Sequence, residues 1–407
     1  MNHRTVLSSF AALLTTAVAV AQTPVSLVGL TRFTSTLAQT LHAPCATLPG
    51  CPAAGLPPVA GVGFAAGGTA YDGTNNTVWA TNGLMLASYA GPASACAVVC
   101  PPMPCPKSSA VAQATGLDVA ESLNELWVVD DQNWLTRCAL GCPPTITAQC
   151  LVATLPGDRI TGVAVDDGNG VVFYTAVSAV GSTLYAAQIG SPCSPFANAP
   201  LADCSAAAVP AYGVAADWGA ARLYWTDGPS TYAFSYAYNP SGPSIAYGPQ
   251  TCCPFVQSPN DPYTDLTLRP RGTSPAGNPC ANGSCPTCLN YHGLRNAPIL
   301  GNTVELGLDD APEASFAWCL LSIGSCTTGM PTLPPLCGPL LVGPGPTLGF
   351  NITSGTSGCL GSTTFFLPLP AAPAFAGLPL ASQCVLLCGG GTGTALSNCQ
   401  SWVLMGV

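Results

Sequence analysis

Short runs of alternating or continuously apolar residues follow one another along the chain, and turn residues separate them. Residues 162–166 (GVAVD) and 171–176 (VVFYTA) both fit buried strands, and the intervening Asp-Gly-Asn-Gly sequence favours a tight turn. Residues 184–189 predict a third strand of the same unit. This region has no helical periodicity, so the pattern predicts an all-β protein.

Four segments repeat this unit with one spacing. Each begins with glycine, and ten positions later an aliphatic residue is followed by an aromatic one. The segments begin 48, 46 and 51 residues apart, at Gly68, Gly116, Gly162 and Gly213, and their aromatic residues are Trp79, Trp127, Phe173 and Tyr224. A period near 40–50 residues with strand content is typical of a β-propeller, in which each repeat forms one four-stranded blade.

The two ends of the repeat region predict how the ring closes. Residues 265–268 resemble a first strand with no second strand after it, whereas residues 25–41 resemble second and third strands with no first strand before them. Pairing the two ends completes one more blade and removes an open sheet edge. We therefore predict a five-bladed β-propeller over residues 22–272, with a six-bladed ring as the alternative.

The remainder of the chain has a different pattern. Residues 273–290 are rich in Cys, Pro and Gly, which is typical of a linker. Residues 291–407 contain short apolar runs separated by Gly and Pro and predict a small antiparallel β-sandwich. Its strands are expected at 303–308, 315–323, 362–369, 378–387 and 395–404.

The N-terminus has the pattern of a secretory signal peptide. Arg4 gives a positive start, residues 10–20 are apolar, and Ala19-Val20-Ala21 fits a cleavage site, so residues 1–21 are assigned to the signal peptide and Gln22 begins the mature chain. The apolar run is shorter than the ~20 residues that span a bilayer, and no later stretch suffices. We expect a secreted protein, extracellular or at the cell surface, with no membrane span.

Twenty-two cysteines fit export, because an even number of cysteines in an oxidising compartment implies disulfides. They fall in local groups, and we expect the bridges to staple hairpins at the outer edge of each blade. The disulfide candidates are Cys45, Cys51, Cys96, Cys105, Cys138, Cys150, Cys193 and Cys204. Zinc bound by Cys280, Cys285 and Cys288 near His292 is the alternative; it is disfavoured because no second CxxC stands at ribbon spacing.

Charge and motifs narrow the function classes. Only 7% of the residues are charged, Lys107 is the single lysine, and a net charge of −9 without a basic cluster argues against nucleic acid or anionic lipid as a partner. The mature chain has two histidines, His42 and His292, and neither lies in a GxSxG or HExxH motif. The sequence therefore assigns no catalytic residue and no metal ligand.

Acidic and amide side chains within the repeats are the candidate site residues. Equivalent positions ring the axis of a propeller, so these side chains could converge on an axial ligand such as calcium, which prefers several oxygen ligands. The residues are Asn82, Asp118, Asp130, Asp227 and Asp265. The favoured interpretation is that they cap turns, since Ala176 interrupts one level of the ring. No cofactor is predicted, and calcium stays an alternative.

Two parts of the chain resemble known families. Residues 223–227 (LYWTD) resemble the repeats of secreted YWTD- and NHL-type β-propeller proteins. Residues 297–302, 367–370 and 375–380, with Gln383 and residues 396–398, resemble a C-terminal module of secreted planctomycete proteins. The resemblance implies a propeller and a β-sandwich in an exported protein, and no chemistry.

Two function classes stay open from the sequence. The favoured one is a secreted, non-catalytic binding or surface-scaffold protein, whose partner would be an extracellular protein or a glycan. The alternative is a metal-dependent propeller hydrolase or lactonase with an axial site. The fold alone does not choose between them, because propellers host both.

Overall fold

The computed structural model describes residues 26–404 except 42–44, 59–65, 73–76, 91–95, 218–220, 241, 255, 269–273, 277–279, 289, 296–297, 325, 327–335, 355–358, 360, 376–377 and 389–392. The predicted signal peptide and its cleavage site lie outside these residues. As predicted, these residues are all-β, apart from two short 3-10 turns at Glu121–Leu123 and Pro373–Phe375. Among the described residues, no helix is long and apolar enough to cross a membrane.

In the part of the chain that the structure describes, twenty strands form five four-stranded antiparallel sheets. The first three strands are β1 (Ser26–Leu30), β2 (Thr36–Leu41) and β3 (Ala46–Pro52). Sheet I consists of β4 (Gly68–Asp72), β5 (Thr77–Thr81), β6 (Met85–Ala90) and β7 (Val98–Pro104). Sheet II consists of β8 (Ala114–Ala120), β9 (Glu125–Asp130), β10 (Trp134–Ala139) and β11 (Thr145–Leu151). Sheet III consists of β12 (Arg159–Asp166), β13 (Val171–Ser178), β14 (Gly181–Gln188) and β15 (Ala197–Leu201).

Sheet IV and the closing sheet complete the set. Sheet IV consists of β16 (Gly213–Asp217), β17 (Arg222–Thr226), β18 (Thr231–Asn239) and β19 (Ser244–Cys253). The closing sheet has the order β20 (Thr267–Leu268), β1, β2, β3. It therefore joins both ends of the repeat region, as the sequence predicted, with Val28 opposite Thr267. The N-terminal segment supplies one strand more than predicted, because β3 was not foreseen.

The first strand of each sheet contacts the first strand of the next, from β4 through β8, β12, β16 and β20 back to β4. Each pair of neighbouring sheets shares a hydrophobic cluster, and the repeat aromatics Trp79, Trp127, Phe173 and Tyr224 lie in four different clusters. A fifth cluster, around Val28 and Tyr71, joins the closing sheet to sheet I. This closed ring of sheets is a β-propeller arrangement.

Disulfides join neighbouring sheets of the ring. Within the described residues, four bridges do so: Cys100–Cys142, Cys150–Cys193, Cys204–Cys252 and Cys45–Cys253. Cys100 lies in β7 of sheet I, for example, whereas Cys142 lies between β10 and β11 of sheet II. The expectation that these bridges staple hairpins within a blade is wrong. In each bridge one cysteine lies in the outermost strand of its sheet, and its partner belongs to the neighbouring sheet.

Not every disulfide candidate is bonded. Cys105 and Cys138 are free, buried thiols in the cluster between sheets I and II. Burial raises the pKa of each to about 12, which keeps both protonated at neutral pH. Cys96 is disulfide-bonded, and the side chain of Cys51 lies outside the described residues.

The C-terminal region forms two antiparallel sheets around one hydrophobic cluster. Its first strands are β21 (Ser274–Ala276), β22 (Cys280–Asn282), β23 (Tyr291–Leu294), β24 (Thr303–Ala311) and β25 (Phe316–Ile323). The rest are β26 (Thr347–Ile352), β27 (Gly361–Pro368), β28 (Pro379–Cys388) and β29 (Gly393–Val403). The order is β21-β29-β28-β25-β26 in one sheet, with β22 also on β29, and β23-β24-β27 in the other. All five predicted strands exist, and two short strands lie within the predicted linker.

Candidate functional site

The first strands of neighbouring sheets approach one another closely at the opening glycines of the repeats. A methyl group on Gly116 would lie 2.6 Å from the Cα of Gly162. A methyl group on Gly162 would likewise lie 2.9 Å from the Cα of Gly213. Only glycine allows first strands to approach so closely.

Asp265 takes the place of this glycine in the closing sheet, and its carboxylate lies in contact with Gly213. One carboxylate oxygen accepts the backbone N–H of Thr69 at 3.1 Å and of Leu117 at 3.2 Å, and the other accepts the N–H of Leu266 at 2.8 Å. These donors come from sheets I and II and from the closing sheet itself. Asp265 is completely buried, so the carboxylate acts as a hydrogen-bonded plug on the axis.

Asp118 lies two residues after its glycine and forms a second link of this kind. Its carboxylate accepts the N–H of Val165 in sheet III at 2.6 Å and that of Val119 at 2.9 Å. Thr267, at the equivalent place in the closing sheet, accepts the N–H of Tyr71 at 3.0 Å. Asp118 and Thr267 therefore both accept backbone N–H groups on the inner edge of the next sheet, beyond which no further strand supplies an acceptor.

The two axial carboxylates, Asp118 and Asp265, are electrostatically coupled. Burial raises the pKa of Asp265 well above its usual range, and the negative charge of Asp118 acts in the same direction. Hydrogen bonds from Thr69, Leu266 and Leu117 oppose this effect without cancelling it. Buried carboxylates with raised pKa values occur at active sites and also in structural networks, so the pKa alone assigns no chemistry.

The other three predicted site residues do not reach the axis. Asn82 accepts the N–H groups of Leu84 at 3.1 Å and Met85 at 2.8 Å, in the turn between β5 and β6. Asp130 and Asp227 accept backbone N–H groups of the equivalent turns in sheets II and IV. The hypothesis that all five side chains converge is therefore wrong. The position fourteen residues after the glycine follows the second strand, away from the centre, and there the turn-cap interpretation holds.

A second buried cluster lies between the two C-terminal sheets. His292 of β23, Cys319 of β25 and Cys384 of β28 place one ring nitrogen and two thiol sulfurs within 4.8 Å of one another. Among the described residues, no other group of three His, Cys, Asp or Glu side chains is this close. Sequence reasoning missed this cluster because 27 and 65 residues separate its members. The available signal was that each cysteine lies in an alternating strand pattern, at an inward position.

The cysteines of the zinc alternative are bonded elsewhere. Cys280 pairs with Cys337, Cys285 with Cys388 and Cys288 with Cys359. A disulfide sulfur is no thiolate ligand, so this alternative is wrong. With Cys326–Cys399, the described residues contain eight disulfides, which indicates an oxidising environment.

The outer face of the larger C-terminal sheet carries apolar side chains. Phe316 lies opposite both Ile352 and Leu387, and Trp318 lies opposite both Phe350 and Val385. Directly opposed residues point to the same face of a sheet. Phe350 is 65% exposed and Ile352 is 57% exposed. We call this surface the apolar face; it comprises Phe316, Trp318, Phe350, Ile352, Val385 and Leu387.

No family model matches the chain, and no curated protein matches it. Among solved structures, the Cps50 (Swd1) β-propeller domain of Myceliophteria thermophila matches 55% of this chain and 71% of its own length, with 6% identity and a TM-score of 0.34. A functionally unknown protein from Desulfotomaculum acetoxidans matches 55% of this chain and 66% of its own, with 11% identity and a TM-score of 0.33. A chain of a nidogen/laminin complex matches 40% of this chain and 57% of its own, with 15% identity and a TM-score of 0.26.

Proposed function

We propose that the protein is a secreted, non-catalytic binding or scaffold protein, built from a five-bladed propeller and a C-terminal β-sandwich. The observation that carries this proposal is how the predicted site residues use their oxygens. Asn82, Asp130 and Asp227 cap their own turns, and Asp118 and Asp265 accept backbone amides across the ring. Carboxylates whose oxygens already accept backbone hydrogen bonds are better suited to stabilising the ring than to catalysing a reaction.

The apolar face is the surface that best supports binding. It combines aromatic and aliphatic side chains from three adjacent strands, and exposed apolar patches of this kind mark interaction sites. Its only polar side-chain group is the indole N–H of Trp318, whereas sugar recognition requires several hydrogen-bonding groups beside a stacking ring. We therefore favour an extracellular protein with apolar contact residues as the partner, rather than a glycan.

Site-specific photocrosslinking tests this proposal. A photoreactive residue replaces Phe350 in the exported protein, and the control replaces Val180, which is 89% exposed in a turn of the ring. We expect one discrete protein adduct at position 350 in the medium of the producing cells, absent at position 180 and lost in Ile352→Ser. Equal adducts at both positions, or retention by purified polysaccharides instead, would overturn the choice of surface and partner.

The second candidate function is the metal-dependent hydrolase or lactonase, which the coupling of Asp118 with Asp265 favours. Equilibrium dialysis with calcium discriminates between the two candidates. The scaffold proposal predicts no stoichiometric ion. Binding of one ion that is lost in Asp118→Ala but retained in Asp203→Ala, an exposed turn cap, would favour the hydrolase.

A further inference from the structure

Cys319 and Cys384 are direct cross-strand partners on β25 and β28, and both are completely buried. They face the core between the two C-terminal sheets, as do Ala317 and Leu386 on the same strands. Both are free thiols, although β28 and β29 also carry the bonded Cys388 and Cys399. Two unbonded thiols therefore lie side by side in an otherwise cross-linked sheet.

The backbone places this pair at a site that accepts a disulfide. The N–H of Cys384 donates to Ser397 Oγ of β29 at 2.8 Å, so the backbone groups of Cys384 point away from β25. Cys319 and Cys384 are consequently a non-hydrogen-bonded pair, for which the Cα atoms lie about 4.5 Å apart. That separation falls within the ~4.4–6.8 Å that disulfides span. The sulfur atoms are no more than 4.8 Å apart.

The hydrogen bonds of His292 argue against a metal site formed by His292, Cys319 and Cys384. Its Nδ1 lies 2.8 Å from the carbonyl oxygen of Gly307, which requires a proton on Nδ1. Its Nε2 lies 2.8 Å from Ser382 Oγ, and that oxygen accepts the indole N–H of Trp402 at 3.3 Å, so the hydroxyl proton is directed to Nε2. Nδ1 is the nitrogen 3.4 Å from Cys384 Sγ, and once protonated it has no lone pair for a metal.

We propose that Cys319 and Cys384 are a modification site that oxidises to a cross-strand disulfide in the exported protein. The oxidant is a protein or low-molecular-weight disulfide of the kind that forms the other bridges. The exchange takes place during folding, before the two C-terminal sheets enclose the pair. The Cys319 thiolate attacks one sulfur of the oxidant, whose second sulfur leaves as a thiolate. Cys384 then loses its proton and attacks Cys319 Sγ, which releases the second thiol of the oxidant. Two protons and two electrons pass from the cysteines to the oxidant.

The environment of the sulfurs agrees with this chemistry. Burial raises the pKa of Cys319, but the adjacent Cys384 thiol and the His292 ring outweigh burial and lower that pKa to about 6. Burial and the neighbouring Cys319 raise the pKa of Cys384. A thiolate on either sulfur would place a charge in an apolar core, and the neutral disulfide avoids that charge.

Peptide mapping of the exported protein tests the proposal. The protein is alkylated under denaturing, non-reducing conditions and digested with pepsin at acid pH, where thiol–disulfide exchange stops because thiolates are absent. We expect the peptides containing Cys319 and Cys384 as one linked species, two hydrogen masses below their sum, in most molecules. Alkylation of both residues in most molecules would overturn the proposal.

Two variants and a metal measurement sharpen the result. Cys384→Ser should leave Cys319 alkylated, whereas Cys105→Ser should leave the linked species intact. If a variant is not exported, the map of the unmodified chain decides alone. Stoichiometric zinc or copper in the purified protein, released when Cys319 and Cys384 are alkylated, would show a metal site instead and would also overturn the proposal.

Discussion

Asp265 stands where the four repeats have glycine. Its carboxylate accepts backbone N–H groups of sheets I and II and of its own sheet. A ring of five glycines would leave those N–H groups without an acceptor on the axis. The substitution of one glycine by aspartate thus stabilises the point where the chain ends meet. Its loss should affect the whole ring, since the donors lie on different sheets.

Replacement of this carboxylate should be strongly destabilising. Asp265→Ala leaves three backbone N–H groups without their acceptor, and each buried orphan costs about 1–3 kcal/mol, so we expect a loss of roughly 3 kcal/mol or more in the free energy of unfolding. Denaturant unfolding of the purified protein measures it. Asp203→Ala, which removes an exposed turn cap, is the control and should have a much smaller effect. Equal effects would contradict a special role for Asp265.

The raised pKa of Asp265 predicts how stability depends on pH. The folded protein retains this proton to higher pH than the unfolded chain, whose aspartate titrates near pH 4 (about 3.9). The contribution is therefore fully present below about pH 4 and is lost as pH rises through the folded pKa. Compared with Asp265→Asn, which does not titrate, the parent protein should lose its stability advantage as pH increases above about 4. An advantage that grows with pH would show the opposite sign.

The sequence predicted which positions of the repeat carry polar side chains, but it predicted only partly where those side chains point. Their place in a first strand marked Asp118 and Asp265 as candidates near the axis, but the favoured interpretation that they cap turns is wrong for both, since they accept amides of other sheets. The expectation of an axial position is wrong for Asn82, Asp130 and Asp227, because the turn after the second strand satisfies a short polar side chain locally. Spacing alone does not show whether a polar side chain points to the axis or accepts an adjacent backbone N–H group.

At the scale of elements, closure depends on how tightly β1 approaches the segment before β20. A methyl group on Gly29 would lie 2.5 Å from the ring of Tyr263 and 2.6 Å from the carbonyl oxygen of Asp265. Backbone atoms at that distance move only if the strands separate. Gly29 is therefore a sensitive point of the closing sheet.

Substitution at this point should loosen the ring. We expect Gly29→Ala to lower the melting temperature by several degrees and to increase aggregation, because the closing sheet must shift. Gly190→Ala is the matched control, since its methyl group meets no atom within 4 Å. Calorimetry and the soluble yield measure both variants. Unchanged melting of Gly29→Ala would indicate that β1 does not close the ring.

Removal of the N-terminal strands is the larger test of the same element. Deletion of residues 23–41 removes β1 and β2 and exposes the edges of β20 and β3. We expect aggregation rather than a modest loss of stability, since unpaired apolar edges associate. A soluble deletion variant that unfolds cooperatively would contradict this expectation.

The sequence predicted the positions of strands better than it predicted the partners of short strands and of cysteines. Alternation and turn residues located the inner strands and the five longer C-terminal strands within a few residues. Short strands such as β21 and β22 were missed, because three residues rich in Pro and Cys carry no periodicity and form only by pairing with β29. Disulfide partners were not predictable either, because sequence neighbours such as Cys193 and Cys204 bond to different sheets.

For the whole molecule, the four inter-sheet bridges predict a fifth. They join sheet I to II, II to III, III to IV and IV to the closing sheet. The remaining junction lies between the closing sheet and sheet I. Cys51 belongs to β3 of the closing sheet, and the bonded Cys96 precedes β7 of sheet I. We expect a Cys51–Cys96 bridge in the peptide map of the purified protein, and alkylated Cys51 would contradict it.

The Cys45–Cys253 bridge also determines how the molecule responds to mechanical load. It closes the chain between these residues, a separation of 208, into one covalent loop that contains sheets I to IV. Tension applied between the N-terminus and the C-terminal sheets would run through a single sulfur–sulfur bond and bypass that loop. Of the described propeller strands, β1, β2 and β20 lie outside the loop. Under tension these three strands would detach, while sheets I to IV would bear no force. An anchored copy would thus extend little until that bond is reduced.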